Sequence, residues 1–367
     1  MRVAYDLRYA ADHFTGIGTH AYELLRSCLD AEDSTEFVVL WNPAARAVRY
    51  DVSTFRAHPR VTWVERDWWP LSPVDPLRIS AWLRWITPDA YLSPFYVMPP
   101  VAGCASVLTL HDVSPLELSG TLSRTSQFLF NLALRGTRRA HAVLTSSRCS
   151  RDAIVKVTDL GHDRVHVVPL GVPGACRTPH RRPSGLPEGD FALVVGENRP
   201  RKNLQVLARA WAQLHQDAAL SLVSAGRVHS HHPSLERLVA DTPAAAHVSS
   251  LGWTPAPELG WLYAHASMLL MPSRYEGFGF PLVEGFAAGI PVVVADTPVF
   301  REVGADAVMY VPPDDADAWA DAVDRVRRDV RLRATLTARG RARAAELTYR
   351  RTAAATLSVV RRAAARA

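Results

Sequence analysis

The stretch Met268-Leu269-Leu270-Met271-Pro272-Ser273-Arg274-Tyr275-Glu276-Gly277-Phe278-Gly279-Phe280-Pro281-Leu282-Val283-Glu284-Gly285 reads as a strand, a glycine-bearing loop and the start of a helix. Four apolar residues in a row, without alternation, fit a strand covered on both faces, as in a parallel sheet. Gly277 and Gly279 let the backbone come close to a ligand. Pro281 fits the first position of a helix, where its missing N–H costs nothing. The loop therefore belongs at the carboxyl end of a strand, where open α/β sheets bind ligands, and the helix turns its free amides and positive dipole end toward the same place, as a phosphate requires. Glu276 in the loop and Glu284 in the helix have seven residues between them. Two carboxylates beside an anion site are electrostatically awkward unless they accept hydrogen bonds from hydroxyl groups, which a sugar and a ribose supply.

The same alternation of short apolar runs and longer amphipathic stretches extends in both directions. Upstream, strands are expected at Val3–Leu7, Phe37–Trp41, Val61–Val64, Ala90–Leu92, Ser106–Leu110, Ala142–Thr145 and Val165–Val168, with helical patterns such as Gly18–Asp30 and Thr121–Arg139 between them. A second series runs from strand Phe191–Val195 through helix Asn203–His215 and strand Leu220–Ser224 to strand Ala307–Val311. Between them, Pro173 to Asp190 is dense in proline and glycine and marks a linker. The expected organisation is α/β, with two Rossmann-like, doubly wound domains facing a cleft. Their bounds are 1–173 for an N-terminal acceptor domain, 174–190 for the linker and 191–348 for a C-terminal donor domain. A final helix over 349–367 is expected to pack back on the first domain.

Composition narrows the class. A chain of 367 residues, 48% hydrophobic, can bury two cores, and no apolar run reaches the roughly 18 residues of a membrane-spanning helix. The start, Met1-Arg2-Val3-Ala4-Tyr5-Asp6, reads as a strand and not as a secretory signal, which places the protein in the cytoplasm. Cys28, Cys104, Cys149 and Cys176 are too scattered for a metal site or disulfide framework. A net charge of +6 suits an anionic ligand or surface without separating nucleotide, lipid and nucleic acid. Nearly all basic residues are arginine; Lys156 and Lys202 are the only lysines, so Lys202 marks a place where a compact ammonium is wanted.

Three further constellations carry chemistry. Gly196-Glu197-Asn198-Arg199-Pro200-Arg201-Lys202-Asn203 lies between a strand and a helix, and its three cations could neutralise a diphosphate. Phe14-Thr15-Gly16-Ile17-Gly18-Thr19-His20-Ala21 matches a dinucleotide fingerprint on its face, yet Gly16 comes nine residues after the first strand ends near Leu7, and the fingerprint glycine belongs directly after the strand. A mobile glycine loop closing over phosphate or acceptor fits better. His111, followed by Asp112, stands at the carboxyl end of an apolar strand. The polar run His229-Ser230-His231-His232-Pro233 has neither a neighbouring carboxylate nor an i, i+4 pair, and reads as a solvated loop.

Taken together, these residues resemble the retaining glycosyltransferases of family 4, which have the GT-B fold. The Glu276-x7-Glu284 motif, the surroundings Leu251-Gly252-Trp253, Pro298–Val303 and Pro312-Pro313-Asp314-Asp315, and the segments Gly16-Ile17-Gly18, His111-Asp112, Thr145–Arg148 and Val168–Val172 match in order over nearly the whole chain. Two positions depart from the usual pattern: Glu197 stands where many members have arginine, and Tyr349 where tryptophan is common before the last helix.

The resemblance implies roles for these positions. Glu276 would touch the donor sugar's hydroxyls, near Gly277, Phe278, Gly279 and Leu282. Glu284 would hold the ribose, and Arg201 and Lys202, with Arg199, the diphosphate. Gly16 and Gly18 would close over the phosphates, and His111 would sit beside the sugar and leaving phosphate. It implies transfer with retention of configuration from a nucleoside-diphosphate sugar, with no cofactor and no obligatory metal. The acceptor would be a hydroxyl of a glycan, a lipid-linked or a small natural-product molecule, and no nucleic acid partner is implied. Pro200-Arg201-Lys202-Asn203 is similar to the pattern of bacterial mannosyltransferases of polysaccharide assembly, which points toward GDP-mannose. Competing expectations on the same fold are non-glycosidic coupling, phosphorylase-like or epimerase chemistry on a sugar nucleotide, and a non-catalytic sensor; a nicotinamide oxidoreductase fits the late Gly16 poorly. Trp68, Trp69, Trp82 and Trp85 with Arg78 and Arg84, and Arg124, Arg135, Arg138 and Arg139 on a second helix, form either a face that rests on the inner leaflet of the membrane or part of the core or acceptor site.

Overall fold

The computed structural model describes residues 1–117, 124–174, 180–214 and 220–367. Cys176, Arg177, Pro179, His215 and the start of the helix expected from Thr121 lie outside the described residues, as does the side chain of Arg124. The chain divides into two compact units, Met1–Gly171 with Thr348–Ala367, and Val172–Leu347.

The first unit is built on β1 (Arg2–Asp6), β2 (Glu36–Trp41), β3 (Val61–Glu65), β4 (Ala90–Ser93), β5 (Ala105–Thr109), β6 (Ala142–Thr145) and β7 (Val165–Val167). They form a sheet in the order β3-β2-β1-β4-β5-β6-β7, with every neighbour parallel. The connections carry α1 (Thr15–Asp30), α2 (Ser53–Arg56), α3 (Asp75–Ile86), α4 (Ser114–Glu117), α5 (Arg124–Thr137) and α6 (Arg148–Thr158). Ile79, Trp82, Leu83 and Ile86 of α3 share one core cluster with Phe130 and Leu134 of α5 and Ile154 of α6. That spacing is a helical stripe, and it leaves Leu77, Ala81 and Trp85 on the outer side of α3.

The helix expected from Gly18 begins earlier, so Gly16 is not in a loop; both glycines lie in the first turns of α1. A Cβ on Gly18 would come within 2.9 Å of the Tyr9 carbonyl oxygen and 3.0 Å of the Tyr50 hydroxyl, so glycine here lets the helix press against the exit of β1. At that exit the Arg8 guanidinium, fully buried, is held between Asp6 (Nε to Oδ1, 2.8 Å) and Asp75 (Nη1 to Oδ1, 2.6 Å), and its Nη1 also donates to the Trp68 carbonyl at 3.3 Å.

The second unit has β8 (Asp190–Val195), β9 (Leu220–Ala225), β10 (Val248–Ser250), β11 (Met268–Met271), β12 (Val292–Ala295) and β13 (Met309–Val311), again all parallel, in the order β10-β9-β8-β11-β12-β13. Its helices are α7 (Leu204–Leu214), α8 (Leu235–Val239), α9 (Ala256–His265), α10 (Phe280–Ala288), α11 (Pro298–Gly304), α12 (Ala316–Arg328) and α13 (Val330–Glu346). β11 is buried throughout, as its unbroken apolar run requires. Within the proline-rich stretch, Arg181 is tied to the second unit: its amide donates to the Pro257 carbonyl at 3.1 Å and its guanidinium pairs with Glu258.

The chain then re-enters the first unit as α14 (Tyr349–Ala364), whose buried stripe includes Tyr349, Ala353, Leu357 and Val360. A Cβ on Gly171 would fall 2.1 Å from the Tyr349 amide nitrogen, so this glycine admits the start of α14. Each unit is a doubly wound, Rossmann-like α/β layer structure. Among the described residues no helix is long and apolar enough to cross a membrane.

Candidate functional site

In each sheet the strand order reverses direction at one place, between β1 and β4 in the first unit and between β8 and β11 in the second. Loops leaving the carboxyl ends of the two strands at such a switch point diverge to opposite faces and leave a crevice. In the second unit those loops are Gly196–Asn203 after β8 and Pro272–Gly279 after β11.

The two loops are sewn together. The Arg274 amide donates to the Arg201 carbonyl at 2.9 Å, and Arg201 Nη1 donates to the Tyr275 carbonyl at 3.3 Å and to Glu276 Oε2 at 3.1 Å. Lys202 Nζ donates to Glu276 Oε1 at 2.6 Å. Lys202 reaches this point by lying over Gly196, whose φ is +138° and on which a Cβ would stand 3.0 Å from the Lys202 Cε. A short 3-10 turn, Pro200–Lys202, presents both cations, and Asn203 ends it in the left-handed conformation while its Nδ2 donates to the Pro313 carbonyl at 2.6 Å. Asparagine tolerates that backbone better than most residues. Lys202 and Gly196 also line a small cavity with Glu197, Met271, Pro272 and Ser273.

Glu276 is 9% exposed. Burial alone would push its carboxyl up. The charges of Lys202 and Arg201, with hydrogen bonds from Lys202 and Ser273, reverse that and hold it down at about 2. The centre is thus an ionised carboxylate between two cations, with one positive charge in excess. The sequence reading assigned Arg201 and Lys202 to a diphosphate and Glu276 to hydroxyls; in the structure all three are one hydrogen-bonded group. Ser273 belongs to it as well and carries no signal in the sequence beyond its place in the loop.

Gly279 caps α10 with φ +93°, a conformation that favours glycine, and Pro281 is the second residue of the helix rather than the first. Phe278 is buried, its ring edge-on to Phe280 at 6.2 Å. Leu282 has no exposed surface and its amide bonds the Gly279 carbonyl at 3.0 Å, so its side chain is part of the core. Glu284, four residues into α10, accepts a hydrogen bond from the Tyr263 hydroxyl of α9 at 2.6 Å. Nothing in the sequence pairs Tyr263 with Glu284.

Arg199 pairs with Glu197 at 2.8 Å, and Glu197 also meets His229 Nε2 at 3.0 Å. The Asn198 amide group donates to the carbonyls of His229, His232 and Pro233, and its Oδ1 accepts from the His229 amide at 2.6 Å. The histidine run is therefore a loop pinned beside the Gly196–Asn203 segment. Among the described residues no group of histidine, cysteine, aspartate or glutamate has metal-holding geometry.

In the first unit His111 follows β5, and its Nε2 is buried with no hydrogen-bond partner among the described residues. Burial pushes its ring down from the usual histidine range, against the opposing charge of Asp112 and a bond to the Pro94 backbone. Edge-on to it, with ring centroids 5.1 Å apart, lies His20, 2% exposed, whose two ring nitrogens likewise have no partner there. His20 is pushed well below its usual range by burial and by the nearness of His111. The sequence reading singled out His111 and passed over His20, which the helical turn after Gly16 carries inward.

Comparison with known proteins agrees with this architecture. Residues 14–175 match the family model described as Glycosyltransferase Family 4, and residues 177–343 match Glycosyl transferases group 1. The chain is 29% identical over 219 residues to O-antigen chain mannosyltransferase RfbU of Salmonella typhimurium, an alignment covering 60% of each chain. It is 29% identical over 284 residues to O-antigen chain mannosyltransferase B of Escherichia coli, covering 74% of each. The crystal structure of Anabaena HepE in complex with UDP and glucose superposes with a TM-score of 0.73 at 16% identity, covering 98% of this chain and 99% of that one.

Proposed function

This chain belongs to the group 1 glycosyltransferases with the GT-B fold, and from that premise we propose that it moves a hexose from a nucleoside-diphosphate sugar to an acceptor hydroxyl. The observation that carries the reading is the buried Glu276 carboxylate held between Lys202 and Arg201 at the switch point of the second sheet. The second unit would take the donor and the first the acceptor.

In this reading the ionised Glu276 accepts hydrogen bonds from sugar hydroxyls. Arg201 and Lys202, one charge in excess of Glu276, stabilise the leaving diphosphate together with the amino-terminal turn of α10. Glu284, oriented by Tyr263, accepts from ribose hydroxyls. Arg199 reaches the diphosphate only by leaving Glu197, which makes its part in donor binding conditional on that exchange. In the first unit the family pattern assigns Gly16 and Gly18 to the phosphates and neutral His111, whose Nε2 is unbonded among the described residues, to the sugar. The acceptor hydroxyl attacks the anomeric carbon from the face the diphosphate leaves, its proton passing to a donor phosphate oxygen, so configuration is retained without a metal. The mannosyltransferase relatives favour mannose as the sugar; the donor of this reading is GDP-mannose, the acceptor a glycan, lipid-linked or small natural-product molecule, and the place of action the cytoplasm with peripheral contact at the inner face of the membrane.

A thermal-shift series with UDP, GDP, TDP and ADP tests the donor, since a ligand at about 100 times its dissociation constant stabilises by about 2.7 kcal/mol. Release of free nucleoside diphosphate on turnover separates transfer from epimerisation, which frees none. A chain that binds no nucleoside diphosphate, or binds it without any turnover, overturns the reading.

A further inference from the structure

The outer side of α3 and the loop before it expose an unusual amount of apolar surface: Trp69 is 46% exposed, Leu71 49%, Val74 47%, Leu77 64% and Trp85 66%. The tryptophans grouped together in the sequence divide here. Trp82, at 2%, is core, and Trp68 is half-buried, while Trp69 and Trp85 face solvent. Arginines stand among them. The Arg66 guanidinium lies 5.7 Å from the centroid of Trp85 and 6.0 Å from that of Trp68, and Arg78 lies 5.9 Å from Trp68. Arg66, Arg78 and Arg84 are exposed and form no ion pair with a described residue; the one exposed acid among residues 66–85 is Asp67.

This surface is held firmly. Arg8 ties the Trp68 carbonyl and Asp75 to the end of β1 from within, so both ends of the apolar loop are fixed by a buried ion network. Between them Leu71 is held at φ +69°, a strained backbone for a branched residue, with its side chain half in solvent. On the same side of the sheet α5 exposes Phe128 and Leu132, with Arg135 and Arg139 beside them, and at the other edge Trp69 meets His13, just before α1 begins (6.3 Å between centroids).

We propose that the outer face of α3, with the loop 66–74, is a docking surface for an anionic lipid bilayer. Tryptophan sits well at the boundary of headgroup and chain, aliphatic side chains enter it, and arginines keep their charge among the phosphates while their stems cover apolar surface. Three exposed arginines against one aspartate give the charge complementarity that selects anionic over neutral lipid. The proposal rests on the sugar-transfer reading only for why the protein goes there, to meet a lipid-linked acceptor; the docking itself does not require that reading.

The test is co-sedimentation of the whole chain with phosphatidylcholine vesicles, with and without about 30% phosphatidylglycerol. Wild-type protein should pellet with the anionic vesicles, stay in solution with the neutral ones, and be released by high salt. The double variant Leu77→Ser with Trp85→Ser should lower the bound fraction about tenfold or more, and Arg78→Glu should lower it as well. Val330→Ser, an exposed apolar residue of the second unit, should leave binding unchanged. Nucleotide-induced thermal shifts, read on the same variants, report that they are folded. No binding to anionic vesicles, equal binding by the folded double variant, or equal loss with Val330→Ser overturns the proposal. So does a wild-type dimer, without vesicles, that the double variant dissociates, because the face then belongs to a second copy. Vesicle binding without any nucleotide response would leave the docking surface standing and remove the sugar-transfer reading instead.

Discussion

The Lys202 ammonium stands 2.6 Å from Glu276 Oε1, linking the loop after β8 to the loop after β11 across the switch point of the second sheet. The contact serves two ends. It keeps a buried carboxylate ionised, and it holds a compact cation at the crevice, which in the proposed function stabilises the leaving diphosphate. Replacing Lys202 by methionine keeps much of the stem and removes the charge. Turnover should fall by about 10²–10³-fold, the usual loss for one preorganised donor, and Glu276→Gln should fall at least as far. Steady-state release of nucleoside diphosphate measures both, and a Lys202→Met enzyme with normal turnover would exclude the leaving-group role.

Glu276 also sets an acid limit to stability. Its carboxyl titrates at about 2 in the folded chain, below the ordinary value of 4.5. A depressed carboxyl contributes stability that is complete above the unfolded pKa and is lost as pH falls toward the folded one, here from about 4.5 down to 2. The full contribution is of the order of 3 kcal/mol. Urea midpoints at pH 5 and pH 3 should therefore converge for Glu276→Gln relative to wild type.

The histidine pair acts in a higher window. His20 and His111 are both held neutral by burial, while in the unfolded chain each takes up a proton near pH 6.5. The unfolded state then binds more protons, so stability falls as pH drops below about 6.5, by up to about 1.4 kcal/mol per pH unit for each ring. His20→Phe removes one ring from this balance. The slope of melting temperature against pH between about 6.5 and 5 should become shallower; an unchanged slope would show that His20 does not stay neutral.

Tyr263 orients Glu284. Tyr263→Phe leaves the ring packing in place and removes this hydrogen bond from the carboxylate. The expected result is a rise in donor KM of about 3–10-fold with kcat little changed, because a single hydrogen bond of about 1 kcal/mol is lost from binding alone. Initial rates at varied donor concentration decide it.

Much of this was legible in the sequence because the alternation of apolar runs and amphipathic stretches is what a doubly wound parallel sheet requires. The run Met268–Met271 is a buried strand, and Glu276 and Glu284 lie in a loop and a helix at its end. Less legible was anything decided between segments. The assignment of Arg201 and Lys202 to a phosphate did not anticipate their bond to Glu276, which follows from the cost of burying a carboxylate alone. The sequence pattern places the helix start at Gly18, with Gly16 in a loop before it, yet α1 begins at Thr15, and close packing of Gly18 on Tyr9 favours glycine inside the helix. Trp82 and Trp85 are separated by helical period alone, once Asp75–Ile86 is known to be a helix. Leu282 looked like a neighbour of the site, and the turn of the helix takes it into the core.

The return of α14 to the first unit has a consequence for synthesis. Residues 172–347 form a contiguous segment that can close its sheet as soon as it has been made. The earlier-made unit must wait, because the stripe Tyr349–Val360 that covers part of its core arrives nearly two hundred residues later than Gly171. Order of translation and order of completion are therefore inverted: the unit made first stays unfinished until the whole of the second has been made and Tyr349–Val360 follows it.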